Sequence, residues 1–562
     1  MVSSLGEPRL DVGSGVHRRK STANGNHCPL PRRRSSEEAH RMGFPRSMAA
    51  CALAVVAFAA MACSPAEDDS AGLVAGTQSG KVRGSGSGGA RHFQGIPFAS
   101  PPTGKDRWEA PRPPGSWSGV RNAIDPGSAC PQEPTEQPRR VVDEDCLYLN
   151  VTAPRGGRSR KKPVVVFLYG GGFTAGEASK YKADRLVRQG DVVAVTANYR
   201  VGAFGFLGLP GLKNSGSFGI LDQQAALRWV RRNIAAFGGD PGNVTLAGQS
   251  AGGISTCINM ISPGAEKLFD KAVIHSGPCT NTGNGLLASV GEVEKEGQKI
   301  ERKLGCSSLA CMRSKSAADV LDAVAKSHAT VGRVAYGTPT LPTDPYKAVR
   351  TGRIRRMPVL VGSTRDDGTL AASGLLPLIG GVTHNSWPDV LKGLLFAPHD
   401  IQQIIRRYPV RTKQEGAGQF TAVQTDWGFG CPAAFMRENI ASRMPVYGFE
   451  FADREAPKLP GLGEQMPSLP LGAYHASDLN YLFDMPTTLR PDQNVLSQEM
   501  IEYWAGFMYH GTPNRPGLPT WPLATQEKGF PVLSLAPGRG GIRPVDASSE
   551  HNCGLWNHLG RP

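Results

Sequence analysis

One segment of this 562-residue chain presents a hydroxyl in a setting that suits a nucleophile. Asn243 to Gly252 reads NVTLAGQSAG: a β-prone apolar run, then Gly248-Gln249-Ser250-Ala251-Gly252, then residues that continue as helix. A strand that turns sharply into a helix through G-x-S-x-G makes the serine project from the turn. The glycines are needed because strand and helix then approach too closely for a Cβ. The helix N-terminus adds a dipole that favours developing negative charge. The bare pattern is weak, because a chain this rich in glycine holds roughly half a match by chance, and the competing reading is Ser250 as a plain helix N-cap. A second run narrows the choice. Val164 to Phe173 reads VVVFLYGGGF, three glycines directly after an apolar strand, where backbone N–H donors can be aimed at an oxyanion. The N–H groups of Gly171, Gly172 and Ala251 are the candidate donors, and the chemistry they point to is acyl transfer through a serine.

These groups need a rigid frame. Short β-branched runs recur at Val164 to Tyr169, Asp191 to Tyr199, Asn243 to Ala247, Lys271 to His275, Pro358 to Gly362 and Val446 to Phe451. Continuous apolar runs of this kind suit strands covered on both faces of a parallel sheet. Between them lie helical patterns. Gly219 to Phe237 is the clearest, with Leu221, Ala225, Trp229 and Ile234 near one face and Arg228, Arg231 and Arg232 elsewhere. Ser497 to His510 is a second, whose aromatic residues read as core. Strand and helix alternate, no repeat or long linker interrupts them, and the expected class is α/β, a mostly parallel central sheet flanked by helices in a single large domain.

From about Gly76 to Trp556 the sequence resembles the type-B carboxylesterases, the α/β-hydrolase family that includes lipases, cholinesterases and their bacterial relatives, and it reads as a bacterial-type member. The resemblance rests on Phe93-Gln94-Gly95-Ile96-Pro97-Phe98-Ala99, Glu144-Asp145-Cys146-Leu147-Tyr148-Leu149-Asn150, Asn198-Tyr199-Arg200, Asp222-Gln223-Gln224 and Phe237-Gly238-Gly239-Asp240-Pro241, in family order. It implies a serine carboxylesterase with a triad in the order Ser, acid, His. Asp366-Asp367-Gly368 looks like the family's D-E-G acid loop. Asp367 therefore takes the acid position, the shorter side chain needing a slight backbone displacement, and Asp366 is the alternative. Gly472-Ala473-Tyr474-His475-Ala476-Ser477-Asp478-Leu479 is similar to the family's G-A-x-H-x-x-E-L, which makes His475 the base. His275 and His510 read as structural.

Several positions depart from or extend the pattern. Gln249 stands where the family commonly has Glu, which removes a buried negative charge and leaves less field favouring an imidazolium. Ser276 matches a second serine that the family places near the triad, as support. Tyr169 stands where many lipases have His. Pro131 to Asp145 contains no aromatic residue, so a choline-ester specialist is not expected. The resemblance also implies disulfides Cys130 with Cys146, Cys306 with Cys311, and Cys431 with Cys553. Cys257 and Cys279 either form a fourth bridge or remain buried thiols.

Composition bounds the rest. With 40% hydrophobic and 20% charged residues the chain is globular rather than disordered. Net charge is +15, of which residues 1–62, with nine Lys or Arg against four Asp or Glu, supply +5. The dense runs Arg18-Arg19-Lys20 and Arg32-Arg33-Arg34 lie in a Ser, Gly and Pro-rich stretch and do not support nucleic-acid binding. Ala49 to Ala62 is too short to span a bilayer and reads as the core of a signal peptide, Met42–Ala62, with Met1 to Arg41 a start-site extension. Cys63 and the polar tether 63–72 resemble the end of a bacterial lipoprotein signal, leaving lipid anchoring at Cys63 or simple secretion. Eight further cysteines in an exported chain favour disulfides. The remaining 73–562 form the hydrolase domain, acting on a small-molecule ester without metal or cofactor. The contrasting readings are a non-catalytic adhesion protein of the same fold and a long-chain lipase.

Overall fold

The computed structural model describes residues 72–560 apart from 134–141, 157–160, 281–284, 461 and 463–465. The leader, Cys28, Cys51, Cys63 and all but the last residue of the tether lie outside the described residues.

Eleven strands build one mixed sheet: β1 (Ser85–Ser87), β2 (Ala90–Pro97), β3 (Tyr148–Pro154), β4 (Lys162–Leu168), β5 (Val193–Ala197), β6 (Gly239–Gln249), β7 (Lys271–His275), β8 (Val359–Thr364), β9 (Val446–Phe451), β10 (Val532–Leu535) and β11 (Arg543–Val545). Their spatial order is β11-β10-β9-β8-β7-β6-β4-β5-β3-β2-β1. The seven strands from β10 to β5 are mutually parallel, and both edges are antiparallel. Within β4, Val164, Val166 and Leu168 enter one core layer while Val165 and Phe167 enter the opposite one. Two covered faces are why this strand reads as an unbroken apolar run.

All six sequence-predicted strands form, with ends shifted by a few residues. The antiparallel strands β1, β2, β3 and β11, and the short parallel strand β10, lie outside the predicted set. β3 alternates half-buried and buried positions, and β2 is interrupted by Gly95, whose register shifts between Phe93 and Ile96.

Five helices matter for the site: α1 (Phe218–Asn233), α2 (Ala251–Ile261), α3 (Cys431–Ile440), α4 (Pro491–His510) and α5 (Cys553–His558). α4 begins six residues before the predicted Ser497, with Pro491 at its first turn, where a missing N–H costs nothing. Its Tyr503, Trp504 and Phe507 are core residues. The predicted inner face of α1 needs correction: Leu221 and Ala225 are only half-buried, whereas the polar Asp222, Gln223 and Gln224 are buried. Their buried groups are satisfied. Asp222 takes a bidentate bond from Arg200 at 2.8 Å on each oxygen, Gln223 donates to Ser255 at 2.9 Å, and Gln224 donates to Ser262 at 2.9 Å. This polar layer fastens α1 to α2 and to the chain that follows β5.

Four disulfides form, Cys130–Cys146, Cys257–Cys279, Cys306–Cys311 and Cys431–Cys553, so the two cysteines whose state was open are bridged. Beside Cys553, His551 bonds Asp426 through Nδ1 and Glu450 through Nε2, each at 2.7 Å. Glu450 also accepts from Arg365 at 2.7 Å, which ties the network to the acid loop. Burial works against a charged His551, but hydrogen bonds to and the charges of Asp426 and Glu450 push its pKa up to about 10. The imidazolium is therefore bound more tightly folded than unfolded. Its contribution to stability is complete below about pH 6.5 and is lost as pH rises through about 10. We predict that His551→Gln, which leaves two buried carboxylates short of a cation, destabilises the protein by roughly 3–5 kcal/mol at pH 7. Chemical denaturation at several pH values should show the difference between wild type and variant shrinking toward pH 10; a pH-independent difference would remove the imidazolium from the account.

Candidate active site

Parallel strands deliver their C-terminal ends to one edge of the sheet, and the candidate residues gather there. β6 runs straight into Ser250, which has φ 58 and ψ −126, and α2 starts at Ala251. Positive φ is costly for serine, and close backbone contacts hold it. A Cβ on Gly252 would meet the Leu168 carbonyl oxygen at 1.9 Å, and one on Gly248 would meet the Gly252 carbonyl at 2.1 Å. The Ser250 N–H donates to the His275 carbonyl at 2.9 Å, locking the turn to β7.

Gly171 and Gly172 follow β4, both with positive φ, at 112 and 60. A Cβ on Gly171 would meet the Ala175 carbonyl at 2.2 Å, so the tight turn demands glycine. Neither N–H finds an acceptor among the described residues. Ala251 is the first residue of α2, where N–H groups have no partner within the helix. Tyr169 donates through its hydroxyl to the Tyr199 carbonyl and Tyr199 donates to the Tyr169 carbonyl, both at 2.8 Å, with the rings stacked at 4.3 Å. That reciprocal pair sets where β4 ends.

Asp367 leaves β8 and is fully buried. Its Oδ2 accepts from Ser276 Oγ at 2.7 Å and from the Thr364 N–H at 3.0 Å, and its Oδ1 faces His475 Nδ1 at 2.5 Å. Asp366, the alternative acid, turns away. It accepts from Arg454 at 3.0 Å through both oxygens and from the Ala473 N–H at 2.9 Å. A backbone bond from Asp366 N–H to the Ala473 carbonyl, at 3.0 Å, completes a stitch between the acid loop and the histidine loop two residues before His475.

His475 Nε2 lies 3.1 Å from Gln249 Nε2. An amide nitrogen only donates, so Nε2 holds a lone pair and the ring proton sits on Nδ1, facing Asp367. The Ser250 hydroxyl makes no hydrogen bond among the described residues; Gln249 occupies the nitrogen that a serine base would use. The Phe429 ring packs on His475 at 4.8 Å. Phe429 is absent from the sequence reading. It sits in a π-helical turn, Asp426–Gly430, that continues directly into α3 and that no apolar periodicity signals.

The histidines read as structural differ. His510 is exposed at the end of α4. His275 is buried, with Nδ1 at 2.6 Å from Asp478 and Nε2 accepting from Trp504 at 3.2 Å, so it is a neutral imidazole. Among the described residues there is no group of three or more His, Cys, Asp or Glu able to hold a metal.

A family model described as "Carboxylesterase family" matches residues 70–540. The chain belongs to the carboxylesterase family. A para-nitrobenzyl esterase of Bacillus subtilis (strain 168) is 33% identical over 80% of this chain and 92% of its own. Pyrethroid hydrolase Ces2a of Mus musculus is 31% identical over 84% of this chain and 89% of its own. A solved thermophilic PNB esterase superposes with a TM-score of 0.74 at 29% identity, covering 86% of this chain and 99% of that one. Relatives of similar identity thus come from a bacterium and a mammal, and the similarity marks no bacterial subtype. This carboxylesterase is a carboxylic ester hydrolase of α/β-hydrolase fold.

His475 Nε2 has the neutral Gln249 amide as its partner, and a carboxylate in that place would favour a protonated ring. Gln249→Glu puts a carboxylate in that place and stabilises the imidazolium. The acid limb of kcat/KM is expected to move up by about one pH unit, so the variant loses most activity near pH 6 and recovers it in mildly alkaline buffer. An unchanged limb in a pH profile would separate Gln249 from the histidine's chemistry.

Proposed function

We propose that this carboxylesterase works through an acyl-enzyme, with Ser250 as nucleophile, His475 as base and then acid, and Asp367 orienting the imidazole. The observation that carries the reading is the 2.5 Å approach of His475 Nδ1 to Asp367, with the opposite ring nitrogen against Gln249, the immediate neighbour of the strained Ser250. A serine hydroxyl is a weak nucleophile at neutral pH and needs a base to take its proton as it attacks. Gln249 yields Nε2 to the Ser250 hydroxyl, the proton moves to Nε2, and Asp367, backed by Ser276 and the Thr364 N–H, stabilises the imidazolium. The tetrahedral oxyanion is received by the N–H groups of Gly171, Gly172 and Ala251, each worth roughly 3 kcal/mol of barrier. His475 then protonates the leaving alcohol, and water repeats the cycle on the acyl-enzyme.

The proposal extends to location and type: a bacterial-type, exported protein, with Met42–Ala62 as signal, 63–72 as tether, 73–562 as hydrolase domain, and membrane attachment only through a lipid on Cys63. Four disulfides support an oxidising compartment.

A fluorophosphonate probe is expected to label wild type on the peptide carrying Ser250 and to leave Ser250→Ala unlabelled, with ester turnover falling about 10⁴-fold or more. Labelling elsewhere, or equal labelling of both, would overturn the assignment. In cells fed an alkyne fatty acid, the full chain should incorporate label and Cys63→Ser should not; a wild type that carries no label and is released to the medium establishes simple secretion instead.

A further inference from the structure

Three arginines of α1 meet different fates. Arg231 donates to Asp270 at 3.0 Å and to the Leu268 carbonyl at 3.0 Å. Arg228 and Arg232, one helical turn apart on another face, have no carboxylate, carbonyl or aromatic ring as partner for their guanidinium groups among the described residues. Positions i and i+4 are neighbours on a helix, and like charges there repel. Arg228 is also half-buried. Burial first, and the Arg232 charge second, lower its pKa, so both act against the protonated form.

Both arginines line a cavity of about 130 Å³ on the surface between α1 and the segments around Gln78 and Pro113. Its lining contains three cations, Arg112, Arg228 and Arg232, and no carboxylate. Arg112 is neutralised by Asp106. The Gln78 amide and the Ser79 hydroxyl, both lining residues, spend no side-chain hydrogen bond on the described protein. Trp229 closes part of the wall and is itself nearly buried. Arg228, a half-buried cation without a counter-ion, is unfavourably placed, and the exposed Arg232 and Gln78 and the half-buried Ser79 border the same space.

We propose that this cavity is an anion site, separate from the triad, that takes a phosphate group through the guanidinium forks of Arg228 and Arg232, with Gln78 and Ser79 as further donors. Planar guanidinium groups bind phosphate oxygens bidentately, and two of them with neutral donors match a tetrahedral oxyanion. The cavity has room for such a group. The phosphate belongs either to a small soluble molecule or to a phospholipid headgroup, and the chemistry of recognition is the same.

The full mature protein is titrated calorimetrically with inorganic phosphate and with glycerol 3-phosphate at fixed ionic strength. It is also co-sedimented with vesicles of phosphatidylcholine alone or with phosphatidylglycerol. Wild type is compared with Arg228→Gln, Arg232→Gln and the double variant. Either single change should weaken binding about tenfold and the double change should abolish it. The variants should unfold, without ligand, at the same temperature as wild type or higher, because a repulsion has been removed, and their turnover of a nitrophenyl ester should be unchanged. Saturable binding of soluble phosphate identifies a soluble ligand; binding only to the anionic vesicles identifies a headgroup. No binding in either arm, equal binding by the double variant, or a loss of stability in the unliganded variants would overturn the proposal, whatever the outcome at Ser250.

Discussion

The site depends on bare backbone meeting bare backbone at the ends of three strands. Ser250 is held in a left-handed conformation that costs a non-glycine residue on the order of 1–3 kcal/mol, and it persists because its surroundings leave no alternative. A Cβ on Gly252 would strike the end of β4, one on Gly277 would meet the Ser250 carbonyl at 2.1 Å, and one on Gly253 would meet the His275 carbonyl at 2.9 Å. β4, β6 and β7 therefore close on the serine turn with no side chains between them. The oxyanion loop leaving β4 is placed by the same contact, since a Cβ on Gly170 would lie 2.8 Å from the Ser250 Cβ. Ser250 and the proposed oxyanion donors are thus positioned by one steric arrangement.

Charge is handled differently at each of three histidines that face a carboxylate. His551 lies between two carboxylates and is held protonated. His275 has one carboxylate and a tryptophan donor, which leaves it neutral. His475 has one carboxylate and a neutral amide, so it too keeps a lone pair, which accepts from the Gln249 amide. A histidine between two acids would already be occupied by a proton and useless as a base. Gln249 in place of an acid keeps His475 out of the arrangement that charges His551.

Much of this architecture is legible in the residues and some of it is not, for physical reasons. The parallel strands are readable because two covered faces select unbroken Val and Ile runs, and the Ser250 turn because its glycines are compulsory. The antiparallel outer strands escape because exposed or half-buried positions admit polar residues in β1, β3 and β11 and Gly95 breaks the register of β2, while the buried β10 is only four residues long. The buried Asp222-Gln223-Gln224 layer defeats a reading of α1 by hydrophobicity alone, since these side chains are inside only because Arg200, Ser255 and Ser262 satisfy them. Phe429 escapes because a π turn shifts the helical phase by one residue, and periodicity is blind to that shift. Nor does any sequence pattern reveal that Gln249, rather than Ser250, sits on His475 in this conformation.

The substitution of Asp for the longer acid shows how local and global structure meet. A carboxylate one methylene shorter reaches less far, so either the acid loop or the histidine loop must move. The two are joined by the paired backbone bond between Asp366 and Ala473 and by the Asp366 carboxylate, which accepts the Ala473 N–H. Gly472, at φ +63, permits this, because a Cβ there would sit 2.4 Å from Asp366 Oδ2. Asp366, the alternative acid, is therefore the residue that fastens the histidine loop beside Asp367. Two consecutive aspartates divide the work, Asp366 holding the histidine loop and Asp367 facing the ring.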